Sequence, residues 1–189
     1  MKKNFLSLYL MLLTITGFSQ VSRDELSHDR CFIDYINSTS QMAQTLLTRF
    51  SKEELSSIRK IIEDKKNMNL STQEQNAQVT ELLKFKDPKE FAIFSDALVK
   101  NLNCIKEKYG NIPQDVFGNA GADVLQNSVG KIRSCGWSFG WCSAIAGTQG
   151  AIMLGACEGG SAGFGTPFCV ASVTLWLTGQ IDDCREKYC

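Results

Sequence analysis

Along the first half of the chain, apolar residues recur at the three- and four-residue spacing of amphipathic helices. Leu55, Ile58 and Ile62 share one face behind Ser51-Lys52-Glu53-Glu54, a hydroxyl and a carboxylate at the spacing of a capping box. Ser71-Thr72-Gln73-Glu74 repeats that start ahead of Val79, Leu82 and Leu83. A third start, Asp87-Pro88-Lys89-Glu90, has a capping carboxylate and a proline at the first helical position. It opens the clearest stripe in the chain: Phe91, Phe94, Leu98, Leu102, Ile105 and Tyr109. Gly110 follows, where a helix end accepts a left-handed residue. An earlier helix is predicted over Asp24 to Arg49, with Phe32, Ile36, Leu46 and Leu47 inward. No stretch alternates as a strand does. The pattern predicts an all-α protein, with a small helical bundle over residues 20–110.

Past that bundle the pattern changes. Gly110, Pro113, Gly118, Gly121 and Gly130 interrupt any regular period, so residues 111–134 read as a linker. Its end, Lys131-Ile132-Arg133, offers a processing site to a secreted protease, an ordinary polar linker being the plainer reading. From Cys135 to Cys189 two apolar stretches flank a glycine-rich turn, and a short polar tail follows from Gln180. This predicts a small disulfide-rich, glycine-rich module of two apolar helices. Each stretch is shorter than the roughly 20 residues that span a bilayer. A module of 55 residues has little interior, so many of its apolar side chains are expected at the surface, facing membrane or protein. Trp137, Trp141 and Trp176 are the candidate contact residues, the alternative being core aromatics of a small globule. Gly155, Gly159 and Gly163 fall four apart, a spacing that glycine-rich turns produce as readily as close helix packing.

Charge narrows the partners. Twenty basic and twenty acidic residues balance, which argues against nucleic acid. Between Arg133 and Asp182 the only charged residue is Glu158, and from residue 135 onward four carboxylates face two cations. Net charge therefore draws this segment to no anionic lipid. At the other end, Met1-Lys2-Lys3, the apolar run Phe5 to Ile15 and Gly17-Phe18-Ser19 have the layout of a signal peptide over residues 1–19, cut after Ser19. The expected location is extracellular or periplasmic, where eight cysteines meet oxidising conditions. Eight allow about a hundred connectivities. Cys31 and Cys104 are the two outside the module, and their mutual pairing is the simplest reading, the alternative being that one reaches past residue 134. Closing that loop stabilises a bundle by roughly 4 kcal/mol.

Catalytic chemistry finds no footing. The sole histidine, His28, lies among Ser27, Asp29 and Arg30 as a solvated helix residue does, and without a second one no usual protease triad can be assembled. The cysteines include no C-x-x-C pair, which leaves a zinc ribbon or redox motif unsupported. Asp182-Asp183 read as solubilising carboxylates of the tail, and Asn37-Ser38-Thr39 and Asn69-Leu70-Ser71 match a sequon that is common by chance. No enzyme activity, cofactor or metal is expected.

Cys135, Cys142, Cys157, Cys169, Cys184 and Cys189, with the small-residue runs between them, resemble the halocin C-eight-like bacteriocin domain. That resemblance covers the last 55 residues. It implies a secreted precursor releasing a compact antimicrobial peptide from its C-terminus, with an N-terminal part that serves as pro-region or immunity protein. The fulvocin-like bacteriocins share the broad layout. The expected function is therefore an antimicrobial precursor acting at a target-cell membrane or receptor. Two alternatives stand beside it: a non-toxic saposin-like lipid-binding or protein-interaction module, and a segment that packs permanently on the helical bundle as its missing core.

Overall fold

The computed structural model describes residues 21–65, 70–87, 89–128, 135–158 and 167–189. The signal segment with Ser19, the Lys131 and Arg133 processing site, and Gly159 and Gly163 of the glycine-rich turn lie outside the described residues. Among the described residues there are eight helices and no strand, so the fold is all-α. In order they are α1 (Arg23–His28), α2 (Arg30–Arg49), α3 (Lys52–Lys65), α4 (Thr72–Leu82), α5 (Glu90–Tyr109), α6 (Gln114–Ser128), α7 (Gly136–Glu158) and α8 (Pro167–Tyr188).

Both capping boxes form. The Ser51 N–H donates to Glu54 Oε2 at 2.7 Å while its hydroxyl accepts from the Glu54 N–H at 3.2 Å. Ser71 and Glu74 do the same at 2.8 and 3.3 Å. The third start is displaced: Asp87 Oδ1 accepts from the Lys89 N–H at 2.8 Å, and α5 begins at Glu90. At its far end Gly110 takes φ 64°, open to glycine without a Cβ penalty. The single helix predicted over 24–49 is two. Asp29 leaves the helical region, and its carboxylate accepts the Phe32 N–H at 3.0 Å to start α2. An aspartate that binds its own downstream backbone favours a cap over a helix interior.

Three further expectations are corrected. Residues 114–128, assigned to the linker by their glycines, form α6. Those glycines let helices touch: a Cβ on Gly121 would stand 2.7 Å from the Ala144 Cβ, and one on Gly118 2.5 Å from Ile145 Cδ1. The polar tail is the last turns of α8, where Asp182 is buried 2.6 Å from the Arg185 guanidinium and Asp183 pairs with Lys52 of α3. Finally, the apolar side chains of α8 are not left at the surface. Every residue from Pro167 to Leu175 is buried.

One continuous apolar cluster accounts for this, joining Phe32, Leu46, Ile62, Val79 and Phe91 to Phe168, Val170, Leu175 and Leu177. Helix α8 contacts α2, α3, α4, α5 and α7. A helical segment buried on every side, as Pro167 to Leu175 is, needs such enclosure. Its buried Thr174 and Thr178 lose nothing, because their hydroxyls donate to the Val170 and Thr174 carbonyls at 2.8 Å.

Cys31 and Cys104 are disulfide-bonded, joining α2 to α5. Beside that bond Asp29 Oδ2 accepts from Lys108 Nζ at 2.8 Å and from the Tyr109 hydroxyl at 3.1 Å. Burial pushes the Asp29 carboxyl up, but the bonds from Lys108, the Phe32 N–H and Tyr109 outweigh it and hold the group below the ordinary carboxylate range. Tyr109 is pushed up to about 12 by burial and by Asp29.

Replacing Cys31 and Cys104 together by serine is expected to cost roughly 4 kcal/mol. In a scanning calorimeter that is a fall in Tm of roughly 10 °C. Asp29 contributes stability that is full above about pH 4, its unfolded value, and that is lost as pH falls through the lower folded value. Asp29→Ala is therefore expected to lose about 1–2 kcal/mol at neutral pH and to show a shallower decline in urea stability under acid than the parent.

Candidate functional site

The last two helices form a hairpin tied at three levels. Cys135 pairs with Cys189, Cys142 with Cys184 and Cys157 with Cys169, each bond nested inside the one before. Cys142 and Cys157 stand fifteen residues apart on α7, as do Cys169 and Cys184 on α8. Two rungs about 22 Å apart thus match on both helices. No thiol is left free. The Cys31–Cys104 bond stays within the first part of the chain, so no disulfide links residues 21–128 to the hairpin.

What joins the two is non-covalent. The Tyr35 hydroxyl of α2 donates to the Gly147 carbonyl of α7 at 3.1 Å. Burial pushes the Tyr35 phenol well up, so it stays a neutral donor. Ser172 of α8 donates to Glu63 Oε1 of α3 at 2.9 Å, and the Phe168 N–H at the start of α8 reaches Gln75 Oε1 of α4 at 3.5 Å. That last bond occupies one of the backbone donors a helix N-terminus leaves unpaired. At the rim Lys52 faces Asp183 and Glu186, while within the first part Arg23 of α1 binds Asp123 of α6 through two 2.6 Å bonds.

The tryptophans divide. Trp137 and Trp141 are exposed, and with Ile152, 69 % exposed, they share one face of α7 at helical spacing. The Arg23 guanidinium lies 4.7 Å from the Trp137 ring centroid. Trp176 instead is half-buried against the core. His28 is exposed at the end of α1, its Nδ1 2.8 Å from the Asp24 carbonyl. The Asn37 sequon lies inside α2, and Asn69 lies outside the described residues. Among the described residues no group of three histidine, cysteine or carboxylate side chains is placed to hold a metal, and no helix is long and apolar enough to cross a membrane.

A cavity of about 260 Å³ opens where α2 meets the hairpin. Tyr35, Ser40 and Leu47 of α2 line one side, Phe139 and Ser143 of α7 another, and Arg185 of α8 its edge. Nothing in the sequence announced it, because its walls belong to four helices, α2, α6, α7 and α8, brought together only by the fold. No family model, no curated protein and no solved structure matches the chain.

The α6–α7 contact gives a paired test. Gly121→Val is expected to cost about 1–3 kcal/mol by overpacking against Ala144. Gly179→Ala has no heavy atom within 4 Å of its new Cβ and is expected to add about 0.4–1 kcal/mol. Thermal denaturation reads both signs.

Proposed function

We propose that the protein is an exported precursor in which residues 21–128 mask a disulfide-laddered antimicrobial segment, residues 135–189, that acts at the membrane of competing cells once freed. The observation that carries this reading is the split between covalent and non-covalent order. The hairpin holds its own three disulfides, yet its apolar helix α8 is enclosed by α2, α3, α4 and α5. A cut between residues 128 and 135 would leave two pieces held by packing and polar contacts alone. Separation would then expose one long apolar face on a stapled scaffold, the kind of surface that seeks lipid or protein.

Charge fixes how such a segment works. Its carboxylates outnumber its cations, so the apolar face supplies the membrane affinity, and Trp137 and Trp141 add interfacial anchors. The helices that enclose α8 are also the natural antidote: whatever keeps the face covered before release can cover it again. The resemblance to the halocin C-eight-like domain supports the same reading and rests on the cysteines and small-residue runs alone.

The test compares intact and cut protein. The oxidised full chain, with a specific protease site placed between residues 128 and 135, is expected to leave liposomes and related bacteria unharmed. After cutting, the fragments are expected to co-purify under native conditions and to part in mild denaturant. The separated segment is expected to cause leakage and growth inhibition, both suppressed by adding back the N-terminal fragment. A segment inert to liposomes and to a broad strain panel sinks the proposal and favours permanent packing.

A further inference from the structure

The cavity between α2 and the hairpin has a shape and a polarity that select a ligand. Its wall on α2 runs from Tyr35 to Thr48, about 20 Å at the helical rise. A volume of about 260 Å³ over that length is a narrow slot. It is larger than the roughly 150 Å³ cavity that takes a benzene, and smaller than most drug-sized clefts. Three polar groups in the α2 wall are already satisfied from within. The Tyr35 hydroxyl is bound to Gly147, and the Thr39 and Thr48 hydroxyls donate to the Tyr35 and Thr45 carbonyls at 2.7 and 2.8 Å. To a ligand these stretches present carbon.

Two groups differ. Ser143 is 5 % exposed, and its buried Oγ has no hydrogen-bond partner. Arg185 is exposed at the edge, and of its five N–H donors the Asp182 contact at 2.6 Å engages one nitrogen. The Cys142–Cys184 disulfide sets them at one level of the hairpin, since Ser143 and Arg185 are the next residues along α7 and α8. A narrow apolar slot with an unpaired hydroxyl and a guanidinium at one level matches a single extended hydrocarbon chain ending in an acid.

We propose that this cavity binds a medium-chain fatty acid, its chain along α2 and its carboxylate at Ser143 and Arg185. The site belongs to the uncut chain and stands whether or not the hairpin is ever released. Because its walls come from both sides of residues 129–134, an occupant fastens the hairpin to α2 and raises the melting temperature with the logarithm of its free concentration above Kd.

Titration calorimetry of the oxidised full-length protein with sodium decanoate tests this. Saturable one-to-one binding is expected, with decan-1-ol about fivefold weaker and butyrate not bound. Arg185→Gln and Ser143→Ala are each expected to weaken decanoate about fivefold, the effect of one partly exposed charged or polar contact. For decan-1-ol, Arg185→Gln is expected to change little. Ser40→Leu, which fills the slot, is expected to abolish binding of both, and Leu47→Trp serves the same purpose if Ser40→Leu does not fold. Absence of saturable decanoate binding overturns the proposal, as does binding that survives a folded slot-filling variant. Equal affinity for acid and alcohol overturns the carboxylate assignment.

Discussion

Over its first half, Pro167 to Leu175, helix α8 has no exposed face, and enclosing it organises everything else. Its segment from Pro167 to Leu175 is buried without a gap, and five other helices share the work. A helix of that composition in water would expose apolar surface on all sides, so the bundle built by α2 to α5 is as much a sheath as a domain. The amphipathic stripes along those helices have their partner in α8. Sheath and content are bound by burial, a few hydrogen bonds and rim ion pairs, whereas each is fastened internally by covalent bonds.

That division decides which parts of the molecule were legible. Features set within a few residues could be read directly: the Ser51 and Ser71 capping boxes, the Phe91 to Ile105 stripe, and Gly110 at a helix end. Cys31 and Cys104 were legible by elimination, as the two cysteines far from a cluster. Features set by tertiary contact misled. Gly118 and Gly121 look like linker residues to any local rule, because close approach to Ala144 and Ile145 is invisible until α7 is docked. Asp182 looks like a tail carboxylate until Arg185 and the α8 surroundings bury it.

The hairpin did leave a signal. Two cysteine pairs with the same fifteen-residue separation on two apolar stretches are what an antiparallel helix pair with matched rungs requires. The cavity left none. Ser143 reads as one more small residue in a glycine- and alanine-rich run, and Arg185 as a charge on a polar tail. Their proximity depends on the same disulfide register, and so does any chemistry they perform together.

The nested order of the three hairpin disulfides bears on how the chain becomes oxidised. The innermost bond closes a separation of 12 residues, against 42 and 54 for the others. Loop-closure entropy makes the short encounter the most frequent in an unfolded chain, and each closure shortens the effective path to the next. Cys157–Cys169 therefore primes Cys142–Cys184, which primes Cys135–Cys189, in a zipper that advances outward from the innermost bond. Such an order needs no segment to be threaded through a closed ring, and it leaves the final seal to Cys135 and Cys189.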